Sequence, residues 1–150
     1  MVNRDFRDLF AELNAAGVEF LVVGAHALAV YGHIRATKDL DVWVRPSENN
    51  ARKVLSALAA FGAPTANVSV ADLTTAGTIV QIGVEPVRID IITSIDGVEF
   101  ESAWAARVSA HFGDQAVAVL SREHLLQNKR ASGRTQDLAD IEALDKLGEG

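Results

Sequence analysis

Asp39 and Asp41 stand two residues apart, alternating with Leu40, Val42 and Val44 in the stretch DLDVWV. That is the period-2 pattern of a half-buried strand. Residues i and i+2 of a strand point the same way, with Cα atoms roughly 6.5–7 Å apart. Two carboxylates side by side repel unless a cation lies between them. Hard oxygen ligands of this kind suit Mg²⁺, which is held by one or two carboxylates together with substrate phosphates. On spacing alone the pair also reads as an exposed edge or two loop-capping acids.

Asp90 interrupts the apolar strand RIDII, sharing a face with Arg88 while Ile89 and Ile91 take the other. A carboxylate there is costly unless it is paired or binds a metal. It is either ion-paired, with Arg88 as the nearest base, or the third member of an acidic cluster with Asp39 and Asp41. Three carboxylates suit two-metal phosphoryl or nucleotidyl transfer with Mg²⁺ (or Mn²⁺). Gly24 ends the apolar run LVV just before an Ala-rich segment, so it either permits a turn or brings backbone N–H groups to a helix start as an anion site.

The elements that would position these residues follow from periodicity. Phe6, Leu9, Phe10 and Leu13 predict a helix over Asn3 to Ala16, and Glu19 to Val23 a buried strand. Ala25 to Tyr31 reads as a helix, Gly32 to Lys38 as a polar loop and Asp39 to Val44 as a strand. Ser47 is the N-cap of a helix carrying Val54, Leu55, Leu58 and Phe61 and ending at Gly62. Thr78 to Ile82 and Val87 to Thr93 form a hairpin across Gly83-Val84-Glu85-Pro86, and Asp96-Gly97 is a turn. A short helix over Phe100 to Arg107 and a strand over Ala116 to Leu120 lead to a helix capped by Ser121. Thr135 to Leu147, with Leu138, Ile141 and Leu144 at helical spacing, closes the chain. The expectation is one domain over residues 1–150: α/β (α+β) in class, a mixed sheet flanked by helices with a helical C-terminal end.

Composition narrows the function. With 150 residues, 49% hydrophobic and 23% charged, the chain is ordinary for a globular domain. No apolar run approaches the ~20 residues that cross a bilayer, and no signal-peptide pattern opens the chain, so a cytoplasmic location is expected. The absence of cysteine excludes disulfides and thiolate metal sites. A net charge of −6 argues against broad nonspecific DNA binding. Local basic groups remain: Arg35, Lys38, Arg45, Arg52 and Lys53, then Lys129, Arg130 and Arg134. Arg35 and Lys38 either contact phosphates or pair with neighbouring acids. His26 and His33 read as satisfied polar residues rather than ligands. Trp43, on the acids' face, either packs or stacks on a base.

The segment VVGAHALAVYGHIRATKDLDVWV resembles the signature of the nucleotidyltransferase superfamily: a strand, a Gly-Gly or Gly-Ser step, a helix, then two aspartates on the next strand. Its Arg35, Thr37, Asp39, Leu40 and Asp41 are similar to the minimal bacterial nucleotidyltransferases and the type IV abortive-infection toxin group. Lys129, Arg134, Asp137 and Asp140 in KRASGRTQDLADIEAL resemble that group's C-terminal helices. The resemblance implies that Gly24 and Ala25 bind the triphosphate of an NTP such as ATP, that Asp39 and Asp41 hold Mg²⁺, and that Asp90 is a metal ligand or the base. Lys129 would reach a phosphate. Asp137 and Asp140 either join the site or pair with nearby bases.

One position departs: Ala25 replaces the second Gly or Ser of the step, keeping the backbone N–H but no hydroxyl. The reading is a Mg²⁺-dependent transfer of a nucleoside monophosphate to a hydroxyl acceptor, protein or RNA, with a toxin–antitoxin setting suggested by the resemblance alone. Its alternative is a catalytically silent module that binds a nucleotide or a partner protein. Oligomeric state is not encoded legibly.

Overall fold

In the computed structural model, residues 4–34, 39–83 and 88–149 are described. The expected helix start at Asn3, the strand start at Val87 and the link residues 84–86 lie outside them. The elements are α1 (Arg4–Ala15), β1 (Phe20–Val23), α2 (Gly24–Val30), β2 (Asp39–Val44), α3 (Glu48–Phe61), α4 (Val70–Thr74), β3 (Ile79–Ile82), β4 (Arg88–Ile92), α5 (Phe100–Ala105), β5 (Val108–Phe112), β6 (Gln115–Val119), α6 (Arg122–Ser132) and α7 (Thr135–Glu149).

The strands form one mixed sheet in the order β3-β4-β2-β1-β6-β5. β1 is antiparallel to β2 and parallel to β6, and β2 is parallel to β4. The hairpins β3–β4 and β5–β6 supply both edges. Every residue of Phe20–Val23 is buried, as expected of a central strand covered on both faces. The predicted stripe of α1 is fully buried, and α1 packs beside α3. Phe10 stacks on Phe20 with ring centroids 5.8 Å apart. Among the described residues no helix is long and apolar enough to cross a membrane.

Three features depart from the periodicity reading. α4 is a short additional helix, closed by a capping box in which the Ser69 N–H donates to Asp72 and the Asp72 N–H to Ser69 Oγ. β5 is an additional edge strand whose mostly exposed residues carry no clean alternation. Its hairpin tip is tied to α1 by a fork from Arg7 to both oxygens of Asp114, each bond 2.8 Å, which holds the Asp114 carboxyl down at about 2. Leu138 is 57% exposed, so it is no part of an inward stripe. The side of α7 that is buried carries Asp137, Asp140 and Leu144 instead.

Asn50 ties the central strands to α3. Its side chain accepts from the Glu19 N–H (2.8 Å) and donates to the carbonyls of Glu19 and Arg45 (both 3.0 Å). The residue is buried, and of these three backbone groups the Glu19 carbonyl also accepts from the Arg45 N–H (3.1 Å). Asn50→Ala should destabilise the fold by about 2–4 kcal/mol, the cost of orphaned buried polar groups. Asn50→Asp should also destabilise, because a carboxylate cannot donate. Urea unfolding checks both, and a loss below ~1 kcal/mol would contradict the role.

Candidate active site

The β2–β4 ladder assembles the acids. Its register sets Asp39 opposite Arg88 and Asp41 opposite Asp90. Neighbouring strands lie about 4.8 Å apart, so Asp41 and Asp90 share a face as nearest neighbours. Antiparallel pairing with β1 sets Val23 opposite Asp41, which brings the following residue, Gly24, against the same carboxylate. A Cβ on Gly24 would collide with Asp41 Oδ2, and its backbone is left-handed, with φ +70°. Both facts demand glycine at this step. The residue before α2, Val23, offers no side-chain cap to the helix's first turn.

These residues open on a cavity of about 660 Å³, lined among others by Gly24, Ala25, Asp39, Asp41, Asp90 and Lys129. Burial, then the charges of Asp90 and Asp39, push the Asp41 carboxyl up to about 6, against the opposing fields of Lys129 and Arg88. Burial likewise raises Asp90, partly offset by Arg88. Among the described residues, Asp90 Oδ1 is buried without a hydrogen-bond partner. Arg88 reaches both flanking acids: Nη2 lies 3.2 Å from Asp39 Oδ2, and Nε lies 3.6 Å from Asp90 Oδ1. Asp90 thus lies within ion-pair range of Arg88 and stands beside Asp41 across the ladder. Among the described residues, no three acidic or histidine side chains are grouped closely enough to cage a metal ion as they stand.

The far wall comes from α6 and α7. Lys129 is buried, with Nζ 3.1 Å from Asp137 and 3.3 Å from Asp140. Burial opposes the ionised form of Asp137, yet bonds from Arg134 and Lys129 win and lower its pKa. Asp140 also meets Gln136 (2.9 Å) and His33 (3.3 Å). The third wall is the turn at Asp96-Gly97, latched to α6 by Gln127, Asn128 and Ser132. A Cβ on Gly97 would stand 2.6 Å from that of Ala131, so the turn seats directly on the helix.

Asp39, Asp41, Asp90, Gly24, Ala25 and Lys129 thus line one cavity, although they come from four elements. Arg35 and Lys38 lie outside the described residues. His26 is not among the cavity's lining residues; it lies edge-on to Phe6 at 5.3 Å, and burial lowers its pKa against a hydrogen bond with the Asp39 backbone. Trp43 is 1% exposed and packs edge-on against Phe100 at 5.0 Å, so it is core rather than a base-stacking platform. Sequence reasoning did not single out Asn128 or Ser132. Their signal is the i, i+4 spacing on α6, which is invisible until the turn is docked.

Raised acids carry a pH signature. Asp41 has a higher pKa folded (about 6) than its ordinary 3.8, so between those values the native state holds the extra proton. Stability then falls as pH rises through the window, and the penalty is complete above it. Asp41→Asn should stabilise the chelator-treated protein by about 2 kcal/mol at pH 7.5, discounted from the full shift for partial exposure. The gain should vanish near pH 4. Urea unfolding at the two pH values checks this, and a pH-independent difference would contradict it.

The structure of a Thermotoga maritima protein provisionally named a nucleotidyltransferase aligns with a TM-score of 0.62 at 17% identity, over 100% of this chain and 97% of that one. A lincosamide antibiotic adenylyltransferase, LnuA, determined with lincomycin bound, aligns at 0.61 and 15% identity over 97% and 98%. An antigenic nucleotidyltransferase-like protein from Paracoccidioides brasiliensis gives 0.53 and 17% over 93% and 72%. At these identities the likeness is one of fold. No curated protein is similar enough in sequence to count as a relative. Residues 2–149 match the model of a family described as nucleotidyl transferase of unknown function (DUF2204). That match spans nearly the whole chain, and with it the protein belongs to this nucleotidyl transferase family.

Proposed function

We propose that the protein transfers a nucleoside monophosphate from an NTP to a hydroxyl acceptor in a Mg²⁺-dependent reaction at the Asp39–Asp41–Asp90 cavity. The observation that carries this is the pairing of Asp41 with Asp90 across parallel strands, beside the Gly24 turn. The donor set fits the metal. It is all carboxylate, as Mg²⁺ prefers, and it contains a buried oxygen, Asp90 Oδ1, with no hydrogen-bond partner among the described residues. Closing on an ion requires the acids to turn inward and Arg88 to yield. Asp39 and Asp41 would hold Mg²⁺, with Mn²⁺ as a substitute, and a second ion is expected from the two-metal chemistry of such transfers. When bound, the metal neutralises charge on the triphosphate and activates the attacking oxygen.

The chain's own groups do the rest. Backbone N–H groups at Gly24 and Ala25 meet the triphosphate. Lys129 has three N–H donors, and its two carboxylate partners orient the ammonium at the cavity wall. The remaining donor and the positive field are available to a phosphate. Arg35 and Lys38 are proposed as further phosphate contacts. Asp90, whose pKa burial raises, is a further metal ligand or the base that accepts the acceptor's proton. The hydroxyl oxygen attacks the α-phosphorus, the bond to the β-phosphate breaks, and pyrophosphate leaves.

An open cavity suits an acceptor that docks from outside, a protein hydroxyl or an RNA 3′ end, and a cytoplasmic toxin–antitoxin setting is compatible with that. The lincomycin-bound neighbour adds a small-molecule acceptor as a further outcome. Ala25 is the one observation favouring the alternative, a silent nucleotide- or protein-binding module.

Incubation with α-labelled NTPs, Mg²⁺ and cell extract tests the proposal. We expect label on a protein, RNA or small-molecule fraction and none in EDTA. Asp41→Ala should lose more than the ~100-fold typical of an outer partner of a metal ligand. No label in any fraction, or equal transfer by Asp41→Ala, would leave the silent module standing.

A further inference from the structure

Arg88 touches two of the three acids, yet the reaction just described asks of it only that it yield. Its ladder position is opposite Asp39 and two residues before Asp90, so one guanidinium reaches both. Asp39, Asp41 and Asp90 crowd one sheet face, and Lys129 is already engaged by Asp137 and Asp140. Among the described residues, Arg88 is the cation in direct contact with Asp39 and Asp90. It is also only partly buried, with 31% of its side chain exposed, so it can leave without breaking the core.

We propose that Arg88 is a tethered counterion that competes with divalent metal for Asp39 and Asp90, and that it transfers its hydrogen bonds to the triphosphate when metal and nucleotide arrive together. The inference rests on the metal-dependent reading above and adds a regulation to it. A flat guanidinium offers a fork of N–H donors that matches a carboxylate or a phosphate equally well. While it holds Asp39 and Asp90, a lone cation must displace it to be liganded by both. A nucleotide brings phosphate oxygens that can accept the displaced fork, so the exchange loses no charge-assisted bond. The consequence is coupling: metal binds weakly alone and tightly with nucleotide.

The coupling has a measurable sign. An arginine beside a carboxylate shifts that carboxylate's proton affinity by one to three decades, and its competition with a metal works through the same charge. Removing it should tighten metal binding in the absence of nucleotide, whereas a purely structural ion pair would, when cut, loosen the site.

The test is Mn²⁺ titration followed by electron paramagnetic resonance, with and without a non-hydrolysable α,β-methylene ATP analogue. Wild type, Arg88→Met and Arg88→Lys are compared, each checked for folding by circular dichroism. We expect Arg88→Met to bind Mn²⁺ alone at least about tenfold more tightly than wild type. Arg88→Lys, with charge but no fork, should fall between and serves if Arg88→Met does not fold. The analogue should tighten Mn²⁺ binding less in Arg88→Met than in wild type. If wild type binds Mn²⁺ and both variants bind it equally or more weakly, the counterion role is overturned while the metal-dependent reading stands. If no protein binds Mn²⁺ even with the analogue, the metal-dependent reading falls, and this proposal with it.

Discussion

The register of β2 against β4 places Asp41 beside Asp90 on a half-buried sheet face, two like charges where water is scarce. Side-chain direction alternates along a strand, so a slip of one residue would set Asp41 against isoleucine and turn the acids away from the cavity. Little in the ladder's own energetics favours the observed arrangement, since burial and mutual repulsion both oppose ionisation of Asp41. The apolar side of the same strands compensates: Leu40, Val42, Ile89 and Ile91 are all buried on the opposite face. The core thus holds the acids in a relation they would not choose.

A second charged assembly lies across the cavity. Lys129, Asp137 and Asp140 are buried together, with Arg134 closing over Asp137. Buried ions are tolerated only when fully paired, and removing one partner leaves an uncompensated charge. The packing of α6 on α7 is therefore specified by polar as much as by apolar contacts. This explains why α7 exposes Leu138 and turns two aspartates inward. It also delivers a positive field to Asp41 from a helix more than eighty positions further along the chain.

How much of this could be read beforehand differs by element. Asp39, Asp41 and Asp90 were legible because acids stand out in apolar strands whose period is short and strong. Helix α1 was legible from its stripe, α6 from its Ser121 cap, and α3 because stripe and cap agree. α4 was hidden by its brevity, although Ser69 and Asp72 carry the capping signature. β5 was hidden because an exposed edge strand needs no apolar alternation. Asn50, a polar residue early in a helix, looks like surface until the two strand ends it bridges are brought together. The inward face of α7 was legible in part: Leu144 is buried and Ile141 packs on the core, but Leu138 points out because Asp137 and Asp140 turn inward to an ammonium. The family resemblance rested on local runs, while the distances among those runs belong to the tertiary structure alone.

Gly24 and Asp41 occupy each other's space, and that has an evolutionary reading. A larger residue at 24 is excluded while Asp41 keeps its carboxylate there, and the left-handed backbone would disfavour it even afterwards. The two positions are locked unequally: loss of the acid would relax one of the glycine's two constraints, but loss of the glycine would displace the acid at once. In a lineage drifting away from catalysis, Asp41 would be free to change first and Gly24 would persist as a relic. Homologues retaining the glycine without the acid would be the fossils of such a path, whereas the reverse combination should be rare.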